Sequence, residues 1–239
     1  MISPTEKTTD ALRMLAALCA LACGLTTQAS GAPDDWPNLG KYREDNARVL
    51  ALPAGGDRVV FLGDSITEFW SKVGTIFQRK PYINRGISGQ TTPQILLRFR
   101  PDVVALAPRV VLILAGTNDV AGNTGPSTPA MIEGNLASMA EIARENDIRV
   151  VLCSILPAFD YPWKPGLQPA EKIVELNQWI RTYAENHHCV YLDYFAAMAD
   201  GRHGMKAEYS EDGVHPNAAG YAVMEPLAEK AISEALSTR

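Results

Sequence analysis

Cysteine and histidine are scarce in this chain, with four of each in 239 residues. Cys19 and Cys23 fall in an N-terminal leader described below, which leaves Cys153 and Cys189. Both sit in apolar runs and read as buried, inert thiols rather than a disulfide. No Cys/His grouping has zinc spacing and no His-Glu-x-x-His occurs, so neither a metal nor another cofactor is expected. Runs of Lys and Arg are also missing, and the formal net charge is -5, which excludes ordinary nucleic-acid partners. No apolar run approaches the roughly 20 residues needed to span a bilayer as a helix. Intrinsic disorder is excluded by the 46% of apolar residues.

What is present begins with an export signal. Lys7 and Arg13 precede the apolar stretch Met14 to Leu25, and small and polar residues follow up to Ala32. This is the charged, apolar and small-residue order of a secretory peptide, with cleavage expected after Thr27-Gln28-Ala29. Removing residues 1–29 takes Lys7, Arg13, Glu6 and Asp10 together, so the net charge is unchanged. The alternatives are an amphipathic first helix, opposed by the all-round apolar character of Met14 to Leu25, and a lipoprotein signal using Cys23. The second matches poorly, because Ala20 stands where Leu or Val is expected three residues before the cysteine. Residues 30–57 then read as an N-terminal arm, with a polar stretch, Lys41 to Arg48, of helical character.

From residue 58 to 239 the pattern is that of one domain. Short β-branched runs (Val59–Leu62, Tyr82–Asn84, Val110–Leu114, Val150–Cys153, Val190–Leu192) alternate with helix-like segments. One helix is announced by Ser127-Thr128-Pro129 and runs to about Asn146. Another covers Ala170 to Asn186, and the last covers Ala218 to Leu236 behind Asn217 as cap. Strands alternating with helices predict an α/β fold with a parallel sheet covered on both faces. Ligands of such sheets lie beyond the carboxyl ends of the strands.

Reactive residues fall at those ends. The first strand leads into Gly63-Asp64-Ser65-Ile66-Thr67, which sets Ser65 at the head of a helix, as a nucleophile or as a plain cap. The second leads into Asn84 to Thr92, where Gly86 and Gly89 allow close backbone approach and an amide could face an oxyanion. The third ends in Ala115-Gly116-Thr117-Asn118-Asp119, with Asn118 either an amide donor or a turn residue. Near the C-terminus, Asp212 lies three residues before His215 in a turn containing Gly213. A carboxylate there can hold Nδ1 and leave Nε2 as a base. Asp193, at the end of the fifth strand, is the competing carboxylate. His187, His188 and His203 read as solvated or loop residues.

Taken in order, these four blocks resemble the GDSL or SGNH hydrolase family, whose motif residues are matched by Ser65, Gly89, Asn118 and His215. The resemblance covers Val59 to Leu236. The run Asn84 to Thr92 followed by Gly116-Thr117-Asn118-Asp119 makes the chain most similar to the acetylhydrolase-like subgroup, near the catalytic subunits of platelet-activating factor acetylhydrolase. It implies a flavodoxin-like three-layer α/β/α sandwich with a five-stranded parallel sheet. It also implies a triad of Ser65, His215 and Asp212, with an oxyanion hole of the Ser65 and Gly89 amides and the Asn118 side chain. Asp64 is implied as support for the nucleophile turn. The α/β-hydrolase elbow Gly-x-Ser-x-Gly is absent.

The implied activity is hydrolysis of carboxylic esters through an acyl-enzyme. Without an inserted lid, short acetyl esters of carbohydrates or other small molecules are the first expectation. Lysophospholipase or thioesterase activity on longer acyl groups is the second. A carbohydrate-binding protein with an unused triad, and an acyltransferase, remain as further readings. The loop Pro157 to Gly166 carries Phe159, Tyr161 and Trp163 and is expected to overhang the site, as sugar platform, acyl wall or loop anchor.

Overall fold

The computed structural model describes residues 35–52 and 57–237. The expected leader, its cleavage after Ala29 and Cys23 lie outside the described residues. Five strands, β1 (Val59–Gly63), β2 (Ile83–Gly86), β3 (Val110–Leu114), β4 (Arg149–Cys153) and β5 (Val190–Leu192), form one all-parallel sheet in the order β2-β1-β3-β4-β5. The helices are α1 (Arg43–Ala51), α2 (Ser65–Val73), α3 (Ile76–Arg79), α4 (Thr92–Leu97), α5 (Phe99–Asp102), α6 (Thr117–Val120), α7 (Pro129–Arg144), α8 (Ala170–Asn186), α9 (Tyr194–Met198) and α10 (Ala218–Ser237).

The near-continuous apolar strands follow from burial on both faces, because β1 and β3 are buried at every position. Side chains alternate across the sheet with period two. Val60, Leu62, Val111, Ile113, Val150 and Leu152 face a core built with Ile95 of α4, Ile132 and Leu136 of α7, and Ile173 and Ile180 of α8. Val59, Phe61, Val110, Leu112 and Val151 face the opposite core, with Trp70 of α2 and Tyr221, Met224 and Ile232 of α10. Trp70 anchors that second layer, edge-on to Phe61 at 5.5 Å and stacked on Tyr221 at 5.2 Å. Truncating so buried a side chain to Ala costs about 3–5 kcal/mol.

The helix starts obey local chemistry. Thr128 accepts from the Met131 amide at 3.3 Å, and Pro129 opens α7 where its missing N–H is harmless. Asn217 caps α10 by accepting from the Gly220 amide at 3.0 Å. The second strand differs from expectation. It begins one residue later and runs through Asn84 and Arg85 to Gly86. Arg85 is buried there because its guanidinium meets Asp45, Asn46 and the face of Tyr42, all from the arm. Cys153 is buried as expected, whereas Cys189 is half-buried just before β5, and both thiols are free.

Strand register positions the site. Gly63 of β1 lies opposite Gly86 of β2 and Leu114 of β3, so the three following loops leave the sheet at one level. The chain reverses direction across the sheet between β1 and β3, the place where a doubly wound sheet opens a crevice.

Candidate active site

The turn after β1 is built around a close approach. A Cβ on Gly63 would lie 2.3 Å from Thr67 Oγ1 and 2.4 Å from the Leu114 carbonyl oxygen, so only glycine fits. Asp64, not Ser65, caps α2, its Oδ1 accepting from the Ile66 amide at 3.0 Å. Ser65 is therefore the first residue of the helix, and its hydroxyl is free for other work.

That hydroxyl meets a histidine from the far end of the chain. Ser65 Oγ lies 2.9 Å from His215 Nε2, and His215 Nδ1 lies 2.7 Å from Asp212 Oδ2. The short Asp212-to-His215 turn makes this possible. Asp212 Oδ1 accepts from the Val214 amide at 2.9 Å and the His215 amide at 2.8 Å, while Gly213 takes the left-handed conformation at φ +79°. With Nδ1 donating to the carboxylate, Nε2 is left to accept from the serine. Partial burial pushes the Asp212 carboxyl upward, but the His215 ring and the two backbone amides outweigh it and hold it at about 2. The carboxylate is thus charged at any neutral pH. The imidazole is flanked by Phe69 at 5.5 Å and Trp163 at 6.0 Å between ring centres.

Asp193 does not compete for this position. Its Oδ1 caps α9 at the Ala196 amide, 2.9 Å away, and its Oδ2 pairs with Arg181. Two of the other histidines are also engaged elsewhere. His187 stacks on Tyr183 at 3.9 Å, and His203 Nδ1 faces Glu171 at 3.1 Å.

Asn118 is the second residue of α6 and is buried. Its Nδ2 donates to Asp64 Oδ2 and to the Gln90 carbonyl, both at 3.1 Å, and its Oδ1 accepts from Asn123 Nδ2 at 2.7 Å. The amide therefore has its nitrogen between the residue before Ser65 and the residue after Gly89. Gly89 has φ +77° and open space where a Cβ would be. Among the described residues, the amides of Ser65 and Gly89 have no hydrogen-bond acceptor. Asp64, completely buried, has its carboxyl pushed up to about 6 by desolvation, against the opposing pull of the Ile66 amide and His215.

Asn123 carried no local signal in the sequence, whereas the aromatic loop it meets was expected over the site. Asn123 joins Asn118 to the aromatic loop, since its Oδ1 accepts from Trp163 Nε1 at 3.2 Å. Trp163 in turn stacks on Tyr161 at 5.0 Å and is 40% exposed beside the histidine. Asp119 ties two loops by accepting from the Thr92 amide at 2.9 Å and from Thr92 Oγ1 at 2.6 Å. A cavity of about 330 Å³ lies beside Asp212, between Phe159, Tyr161, Arg202 and Met205. An open groove of about 640 Å³ borders His215, with Val73, Pro216, Ala218 and Ala219 as its apolar wall. Among the described residues, no three His, Cys, Asp or Glu side chains converge as metal ligands would.

Residues 61–223 match the model of the GDSL-like lipase/acylhydrolase family. The chain belongs to that family. Membership places it among hydrolases of ester substrates. A solved GDSL-like lipase from Bacteroides thetaiotaomicron is 43% identical with a TM-score of 0.79, covering 84% of this chain and 99% of its own. A solved protein from Bacteroides fragilis, proposed to be an acylhydrolase, is 41% identical with a TM-score of 0.80, covering 83% of this chain and 97% of its own. An uncharacterized lipoprotein of Bacillus subtilis (strain 168), YqeF, is 35% identical over 82 residues. That match spans 33% of each of the two chains.

Proposed function

We propose that the chain is a serine ester hydrolase that works through an acyl-enzyme on short, chiefly acetyl, esters of carbohydrates or other small molecules. The observation that carries this reading is the unbroken hydrogen-bonded line from Ser65 Oγ through His215 to Asp212, at 2.9 and 2.7 Å. It lies at the carboxyl ends of a parallel sheet and beside two unengaged backbone amides.

In the first half-reaction, Ser65 Oγ bonds to the ester carbonyl carbon as its proton passes to His215 Nε2, and the carbonyl electron pair moves onto oxygen. Asp212 holds the imidazole in the required tautomer and balances the imidazolium. The oxyanion is met by the Ser65 and Gly89 amides and by Asn118 Nδ2. The two resting bonds of Asn118 Nδ2 are at the long end of the N–H···O range, so a full negative charge competes well for that donor. Collapse expels the alcohol with the proton from His215. Water then repeats the sequence, with His215 again as base, and releases the acid.

The aromatic loop supports a carbohydrate leaving group. Trp163 offers a half-exposed face 6.0 Å from the His215 ring, and Tyr161 backs it by stacking. The apolar groove formed by Val73, Pro216 and Ala218 favours a second reading, a longer acyl group as in a lysophospholipase or thioesterase. Hydrolysis of p-nitrophenyl esters from acetate to decanoate, with Ser65→Ala alongside, separates the two. The first reading expects the highest kcat/KM at acetate and no turnover in the variant. A maximum at long chains would replace it by the second, and activity surviving in the variant would remove Ser65 from the mechanism.

For location, the sequence of Met14 to Leu25 supports export, and the relation to a Bacillus lipoprotein favours anchoring through Cys23 as the second reading. Labelling with a fatty-acid analogue, lost on Cys23→Ser, would decide for the anchor.

A further inference from the structure

One buried guanidinium reaches two of the three loops that carry the oxyanion donors. Arg98, at the junction of α4 and α5, is completely buried. Its Nη2 donates to the Gly63 carbonyl at 2.8 Å, two residues before Ser65. Its Nε donates to Gln90 Oε1 at 2.5 Å, one residue after Gly89, and its Nη1 donates to Asp102 Oδ2 at 3.1 Å. Gln90 passes the connection on, since its carbonyl accepts from Asn118 Nδ2 at 3.1 Å and its Nε2 donates to the Pro37 carbonyl at 2.7 Å. The third donor, Asn118, is thereby tied to the other two. The arm closes the network from behind, as Asn46 Nδ2 donates to Asp102 at 2.8 Å and Gln94 Nε2 to the Trp36 carbonyl at 2.7 Å.

Burial of an Arg–Asp pair is a poor way to gain stability, because desolvation consumes most of the attraction. A guanidinium offers something an apolar side chain of equal volume cannot, namely several N–H donors in a fixed planar fork. Here the fork spans the ends of β1 and of the loop after β2, the two segments whose separation sets the distance between the Ser65 and Gly89 amides.

We propose that Arg98 and Gln90 are positioning residues that fix the spacing of the Ser65, Gly89 and Asn118 oxyanion donors, with Trp36–Asn46 of the arm as their outer support. The proposal rests on the serine-hydrolase reading above. A misplacement of about 1 Å at such donors costs up to about 10²-fold in turnover. Gln90→Met keeps volume while removing both the Arg98 acceptor and the Pro37 donor. Arg98→Lys keeps charge against Asp102 but cannot reach both loops from one nitrogen.

The test measures kcat and KM on p-nitrophenyl acetate for the full chain and for Ser65→Ala, Gln90→Met, Arg98→Lys, Asn118→Ala and the Gln90→Met/Asn118→Ala pair, with circular dichroism of each. The expected result is a kcat loss of about 10- to 100-fold in Gln90→Met, with KM held within about twofold. The loss shrinks several-fold in the Asn118→Ala background, because both changes act on one set of donors. Arg98→Lys behaves alike if it folds, and Gln90→Met alone decides if it does not; should Gln90→Met be the one that unfolds, Arg98→Lys takes its place. Wild-type kcat in the folded variant, a change confined to KM, or losses that multiply in the pair would overturn the proposal. Turnover surviving in Ser65→Ala would overturn the parent reading and the proposal with it, whereas a dead Ser65→Ala beside a fully active Gln90→Met would remove the positioning role alone.

Discussion

Asp64 gives the sharpest quantitative prediction, since it is a completely buried carboxyl in a site whose polar neighbours are few. The Ile66 amide and Asn118 Nδ2 donate to it. Desolvation raises its pKa from the ordinary 3.8 to about 6. A group whose pKa is higher in the fold than in the unfolded chain favours the fold when protonated. That contribution is complete below about pH 3.8 and is lost as the pH rises through about 6. At about 1.4 kcal/mol per pH unit, the gap amounts to about 3 kcal/mol. Asp64→Asn keeps a capping side chain of the same shape and cannot ionise, so it lacks this loss. Urea unfolding of both proteins at pH 4 and pH 7 measures the difference. The stability of the variant relative to wild type should increase by about 2 kcal/mol between those two conditions, since the unfolded carboxyl is already partly ionised at pH 4, with the titrations of the other groups largely cancelling in the comparison. A relative stability that is the same at both pH values would refute the reasoning, and would mean that Asp64 is solvated or fully compensated.

Three further outcomes are expected. Asn118→Ala should lower kcat by about 10²–10³-fold with little change in KM, read from steady-state kinetics on p-nitrophenyl acetate; normal kcat would remove Asn118 from the oxyanion hole. Asp212→Asn should cost about 10⁴-fold in kcat by releasing the histidine tautomer, while Asp193→Asn, which only loosens the start of α9 and the Arg181 pair, should leave turnover near wild type; the reverse ranking would exchange their roles. Gly63→Ala should destabilise the fold by about 1–3 kcal/mol or more, measured by thermal melting, because its Cβ meets the Leu114 carbonyl at 2.4 Å, a backbone atom that cannot turn aside.

How far the sequence reveals all this depends on the range of each interaction. The strands of the sheet interior are legible because burial on both faces demands β-branched runs such as Val110–Leu114. The edge strand β2 is harder, because Asn84 and Arg85 are polar and are satisfied by groups far away in sequence, the Thr67 carbonyl of α2 for Asn84 and Asn46 of α1 for Arg85. Asp212 and His215 are legible as a pair because three residues and a glycine suffice to fold one onto the other. The engagement of Asp193 is not legible, because it comes from tertiary contacts: Asp193 caps α9 and pairs with Arg181 from another helix, while Asp212 meets His215. Asp64 as cap and Ser65 as first helical residue follow from one backbone angle that the tripeptide leaves open. Arg98, Gln90 and Asn123 are invisible as site residues for the same reason: their partners are backbone carbonyls and side chains supplied by other loops.

The central claim is that Ser65 is the nucleophile, and covalent capture tests it most directly. A fluorophosphonate probe, followed by intact-mass and peptide analysis, should leave one adduct per chain, on Ser65, formed far more slowly in Asp212→Asn. An unlabelled protein that still hydrolyses esters, or an adduct mapped to another residue, would contradict the account.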